Sequence, residues 1–437
     1  MPSTISRRQF LLSSLAGTAG LGLSASVRAV EAFPPREFTA WGWPKNGYAQ
    51  ISEKSKDWLK YKGWWPLQVA WNPGWSDNNT ILFTMRERKL LEARGLEVAY
   101  QPLLAAGVMN EAFIPARIQV AQAGSLGLLR LIDLGVPTAA VACNPAQRDA
   151  YLAHPDSPLK HGFEELKDQR VLGRPAVIGV TFGSLPHMGV LIAAKVHGLK
   201  AGRDFTLLNM MPGDILTLPK GVDIVGIWEP QVSRMLDELK NARVWSLEAP
   251  YVFFNGYSYL RGEIAEEAPD VAQAYVDAFI EARLMVRAAP GPAIDAFAAD
   301  VTQRGRSQAA VTHDIMTYTV NPKPTLSYPF LDTDGVWAHV EAYQSGVMAE
   351  AGVLKRRYSP EDFKAVLRPE FMSGTFSKLG WAVPKRPVFL PEGWTGQVGH
   401  PPYPPYGIWN AGKQPFPQAG DLVRPWVFQG RRYLPQG

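Results

Sequence analysis

The chain has one cysteine, Cys143, in 437 residues. It therefore cannot hold an internal disulfide, a Cys-x-x-Cys redox pair or a thiolate zinc site. Within Val141-Ala142-Cys143 that residue reads as part of a buried strand. Histidines are also few, seven in all, and none falls at zinc-ligand spacing; His154 and His161 are set among prolines and charges. Asp77, Asn78 and Asn79 lack the further oxygen ligands of a calcium loop. The run Gly179 to Gly183 lacks the third glycine of a dinucleotide fingerprint, and no Gly-x-Ser-x-Gly elbow occurs. These absences point away from an enzyme. No metal, no cofactor and no catalytic residue is expected. Long basic runs are missing, which argues against nucleic acid as a partner.

A membrane-spanning run is missing too. The mild apolar segment 10–25, diluted with Gly, Ser and Ala, falls short of the roughly 20 apolar residues a spanning helix needs. It follows Ser6-Arg7-Arg8-Gln9-Phe10-Leu11-Leu12, a twin-arginine export pattern. Val27-Arg28-Ala29 offers small residues to a signal peptidase, so cleavage near Ala29 is expected. That segment carries three arginines and no acid, so its removal lowers the formal charge from +5 to +2. The expected product is a soluble periplasmic monomer.

What is present is a globular composition, 46% hydrophobic and 19% charged, long enough for two cores. Residues 30–66 read as an extension rich in Trp, Pro, Gly and Lys. From 67 onward, strand-like and helix-like segments alternate, which implies mostly parallel sheets flanked by helices. Strands are expected at 67–71, 96–100, within 134–143 after Gly135-Val136-Pro137, at 176–180, 205–209 and near 222–227. Helices are expected at 80–94, 112–121, 186–198 and 230–240, and then through much of 265–367. Residues 385–437, dense in Pro, Gly and aromatics, read as an irregular strap.

Two stretches carry the most information. Ile178-Gly179-Val180-Thr181-Phe182-Gly183-Ser184-Leu185-Pro186-His187 is an apolar run, a Gly-Ser turn and the start of a helix. Such a turn puts unpaired backbone N–H groups at a helix N-terminus, where an anion is welcome. Val222-Asp223-Ile224-Val225-Gly226-Ile227-Trp228-Glu229-Pro230 is a second apolar run ending on an aromatic wall and one charge. Two such turns suggest a chain that captures a small ligand.

These motifs resemble the periplasmic substrate-binding proteins of nitrate/sulfonate/taurine-type ABC transporters, which are similar in fold to binders of thiamine-pyrimidine precursors. The matching residues are Gly183-Ser184-Leu185-Pro186-His187, then Gly198-Leu199 and Asp204, then Pro212, Val222-Asp223 and Trp228-Glu229-Pro230. Looser matches in the first half are Ala121-Gln122-Ala123-Gly124-Ser125-Leu126-Gly127 and Gly135-Val136-Pro137. The likeness spans roughly 67–370 and is strongest over 176–232. Gln231, the helix breakers Pro212, Gly213 and Pro219, and the loop around Trp75 depart from the pattern.

The resemblance implies an α/β, two-lobed periplasmic-binding-protein fold of type II character. Its expected divisions are a signal peptide (1–29), an extension (30–66), a first lobe (67–170 with 253–384), a second lobe (171–252) and the strap (385–437). It also implies a small anionic or polar solute, sulfonate-like, passed to an ABC permease. The alternatives are a nitrogenous heterocycle or other organic solute, a ligand-sensing subunit, or an enzyme on the same scaffold; the last lacks its cysteine cluster here. In such a protein, ligands sit outside the C-terminal strand ends. The expected ligand-binding residues are Asn72, Trp75, Gly124, Ser125, Gly183, Ser184, His187, Trp228 and Glu229.

Overall fold

The computed structural model describes residues 47–73, 76–144, 149–168, 170–247, 251–252, 256–288, 290–300, 303, 305–315, 331, 335–379, 426–428 and 431–433. The expected signal peptide, Trp75 and most of the C-terminal strap lie outside them. Two five-stranded sheets form the core. The first runs in the order β2-β1-β3-β10-β4. Its strands are β1 (Leu67–Trp71), β2 (Val98–Pro102), β3 (Val120–Gly124), β4 (Thr138–Asn144) and β10 (Gly256–Arg261). The second runs in the order β7-β6-β8-β5-β9, from β5 (Asp149–Ala153), β6 (Ala176–Val180), β7 (Phe205–Asn209), β8 (Ile224–Trp228) and β9 (Arg243–Leu247).

The two sheets follow one plan. In each, a central strand pairs in parallel with two neighbours, as β1 does with β2 and β3 and β6 with β7 and β8. In each, one strand runs antiparallel between its two neighbours. That strand is β10 in the first sheet and β5 in the second. Both enter immediately after the chain crosses between lobes, so each antiparallel strand marks a crossover.

The second sheet shows why these short runs become strands. Every residue of β5 and β8 is buried, as a sheet covered on both faces requires. Alternate side chains go to opposite faces. Tyr151 and Ala153 join Ile178, Val180 and Phe163 on one side. Ala150 and Leu152 join Val225, Ile227 and Trp228 on the other.

Helices after β10 complete the first lobe. Pro269–Ala288 packs against Ser76–Glu87 and against Pro369–Leu379, while Val336–Glu350 reaches the second lobe and packs on Leu185–His197. There Lys195 Nζ lies 2.5 Å from Glu350 Oε2. The C-terminal residues that are described form a small hairpin, Trp426–Phe428 against Arg431–Tyr433.

Several sequence expectations need correction. The second lobe begins at β5, not at residue 171, because the apolar run Ala150 to Ala153 pairs with β8. The helix expected at 112–121 lies earlier, at Ala106–Phe113. Pro115 cannot extend it, and Val120 begins β3. The helix expected at 80–94 spans Ser76–Glu87, and a short 3-10 turn, Glu92–Arg94, follows. Residues 230–240 form one short turn, Gln231–Ser233, that widens into a π-helical turn, Arg234–Glu238. Cys143 is buried within β4, as expected.

Candidate functional site

A cleft opens between the lobes at the C-terminal ends of the parallel strands, enclosing about 490 Å³ with its open mouth included. From the first lobe, Asn72, Ala105, Ala106, Met109, Gln122, Ala123 and Gly124 line it. From the second come Asp149, Thr181 to Pro186 and Trp228. Asp149 and Trp228 are register partners across β5 and β8, so their neighbouring backbones set both residues at one strand end.

Three helices begin at this cleft. Their N-caps, Ala105, Gly124 and Ser184, all lie on its wall. Ala105 and Gly124 make no side-chain cap hydrogen bond, which leaves first-turn N–H groups to other acceptors. The positive ends of three helix dipoles thus converge on one space from both lobes.

The loop after β6 is held by its own hydrogen bonds. Thr181 Oγ1 donates to Met210 O at 2.8 Å, and the Phe182 N–H donates to Asn209 Oδ1 at 2.9 Å. The Ser184 N–H donates to Thr181 O at 3.1 Å. Gly183 has φ +84°, a left-handed conformation that explains why glycine sits here. Its N–H donates to His187 Nδ1 at 3.3 Å. The His187 ring stacks on Phe182 with centroids 4.7 Å apart and planes 12° apart. Burial, with help from the charge of Arg130, lowers the His187 pKa to about 4. At neutral pH the ring is therefore uncharged, as an acceptor at Nδ1 must be.

Five of the nine expected site residues line the cleft: Asn72, Gly124, Gly183, Ser184 and Trp228. Trp75 is outside the described residues. The other three point elsewhere. Ser125 is fully buried and donates to Glu341 Oε1 at 2.7 Å. Glu229 is fully buried and accepts from the Ser233 N–H at 2.9 Å and the Ser233 hydroxyl at 3.1 Å, capping the next turn. His187 lies behind Phe182. Asp204, part of the matching motif, is also structural: it accepts from the Lys200 N–H at 2.7 Å and pairs with Arg203.

Sequence reading missed Gln122, Asp149, Phe182 and Met109. Gln122 carried a usable signal, since it is a polar side chain in the middle of an apolar strand. Its Nε2 donates to Ser258 Oγ and Tyr275 OH, and its buried Oε1 has no hydrogen-bond partner among the described residues. Asp149 is the sole charged side chain among the described lining residues, and it is an acid.

No protein-family model matches the chain, and no curated protein matches it in sequence. Solved structures do match in shape. The periplasmic aliphatic sulphonate binding protein SsuA from Escherichia coli aligns with a TM-score of 0.56 and 18% identity, over 69% of this chain and 92% of its own. The periplasmic nitrate-binding protein NrtA from Synechocystis aligns with a TM-score of 0.58 and 12% identity, over 71% and 88%. A Candida albicans protein described as having the generic periplasmic binding protein fold aligns with a TM-score of 0.51 and 14% identity, over 69% and 96%. Identities this low speak to fold alone. Two mixed sheets flanked by helices, joined by two crossovers around a cleft, give this chain the two-lobed periplasmic-binding-protein fold.

Proposed function

We propose that this protein is the solute-binding component of an ABC importer, capturing a small organic solute between its lobes and presenting it to a membrane permease. It binds its ligand without transforming it. The observation that carries this reading is a cleft walled by both lobes, onto which three helix N-termini open. Ligand contacts shared between lobes favour the closed form by their differential affinity for it.

The helix N-termini support an acidic head group on the solute, of which a sulfonate is the best fit to the sequence motifs. A bare inorganic ion such as nitrate fits less well. It has no apolar surface to set against the walls of the cleft. The apolar surfaces of Met109, Phe182, Leu185 and Trp228 call for an organic body.

Export by the twin-arginine route, with cleavage near Ala29, and a monomeric periplasmic protein complete the proposal. Calorimetric titration with small organic sulfonates tests the binding claim. A ligand present at 100 times its Kd adds about 2.7 kcal/mol of stability. The proposal fails if organic sulfonates neither bind nor raise the unfolding temperature.

A further inference from the structure

We infer that the solute has a flat, unsaturated body, and that Phe182 is the residue that selects for it. This deepens the solute-binding reading and rests on it. An aromatic side chain that lines a cavity offers a ligand a large apolar contact with a preferred geometry. Phe182 lines the cleft and is 43% exposed. One face of its ring is already covered, because His187 lies against it nearly parallel, with centroids 4.7 Å apart.

The stack is built to keep its shape. The Phe182 N–H is held by Asn209 Oδ1, and the His187 ring is held by the Gly183 N–H at Nδ1. Only 7% of His187 is exposed, so solvent does not compete for its ring. Phe182 is therefore a pre-oriented platform, backed by an uncharged imidazole. A rigid aromatic surface gains most from a second flat ring in offset or edge contact. An aliphatic chain would cover the same area with less of that geometry and would lose more rotational freedom on binding.

The cleft opposite supplies apolar walls and one orienting acceptor. Ala105, Ala106 and Met109 present small or adaptable apolar surface. Gln122 Oε1, buried on the same wall and without a hydrogen-bond partner among the described residues, suits an N–H or O–H on the edge of a ring. A planar body fixed by a donor at its rim matches this pairing of platform and acceptor. The assigned class is an aromatic or heteroaromatic solute carrying a small polar head.

The test separates body from head. Affinities of the purified mature protein are measured by calorimetry for three matched pairs: benzenesulfonate and cyclohexanesulfonate, benzoate and cyclohexanecarboxylate, and benzylammonium and cyclohexylmethylammonium. The members of each pair share a head and differ in flatness. The expected result is a preference of about tenfold for the aromatic member of the best-binding pair. Phe182→Leu, which keeps apolar bulk at an exposed site, should erase that preference while leaving the unfolding temperature unchanged. Equal binding within the best pair, or a preference that survives Phe182→Leu, overturns the inference and leaves the solute-binding reading intact. Binding by none of the six overturns both.

Discussion

Gly124 of the first lobe and Leu185 of the second meet where the lobes touch, so closely that a Cβ on residue 124 would lie 2.8 Å from Leu185 Cγ and 2.9 Å from its Cδ1. Each is the boundary residue of a helix that starts at the cleft. The glycine is needed here for space. Gly124→Ala should hold the lobes slightly apart without disturbing either core. Ligand affinity should fall several-fold, and scattering should show a larger radius at saturating ligand. Unchanged affinity and an unchanged radius would mean that this contact does not govern closure.

Ser184 caps the helix Leu185–His197 by accepting the His187 N–H at 3.4 Å, a long hydrogen bond. Ser184→Ala should therefore cost about 0.5–1 kcal/mol of stability, the low end for a lost cap. The hydroxyl also lies on the cleft wall, so affinity should fall as well. Denaturant unfolding and calorimetry on the same variant separate the two effects. A loss of stability with wild-type affinity would confine Ser184 to capping.

His187 makes stability depend on pH in a defined window. Its folded pKa, about 4, is below the ordinary value of 6.5, chiefly through burial and next through Arg130. The unfolded chain then takes up the proton first as pH falls. The contribution is fully present above about pH 6.5 and is lost progressively down to about pH 4, by on the order of 2–3 kcal/mol. His187→Gln should flatten this part of the stability–pH curve. An unchanged slope would assign the acid sensitivity to other groups.

Arg94 and Glu281, neither of which lines the cleft, form a buried pair 2.6 Å apart with side chains 2% and 0% exposed. Tyr48 joins them, donating its hydroxyl to Glu281 Oε1 at 2.7 Å while its ring lies 4.3 Å from the guanidinium. Arg94→Met removes the cation from beside a buried carboxylate and should cost about 3–5 kcal/mol. Solute affinity measured well below the unfolding transition should stay at the wild-type level. A large change in affinity would show that this pair is coupled to the cleft.

Much of the fold was legible because short apolar runs announce buried strands. β1, β6 and β7 lie where their residues place them. β5 was missed because five residues opening on an acid and including two small alanines look like linker until β8 is there to pair with them. The helix at Ala106–Phe113 was set too late because the alanines after Pro115 suit a helix as well as a strand.

The site was legible in part for a similar reason. Gly183, Ser184 and Trp228 stand at turns whose chemistry is local, and their motifs reveal it. Whether Ser125 or Glu229 faces a cleft or a core depends on partners far along the chain. Glu341 claims Ser125 from 216 residues away. Asp149 and Gln122 become cleft residues only when two lobes are folded around one space, which no local pattern encodes.

Native mass spectrometry of the mature protein, purified from the periplasm without refolding, tests the central claim most directly. The account predicts a chain carrying one small organic molecule, with that adduct lost from a Gly124→Leu variant whose side chain obstructs the cleft. A wild-type protein that retains no small molecule and gains none from a mixture of organic anions, or an adduct that persists unchanged in Gly124→Leu, would contradict it.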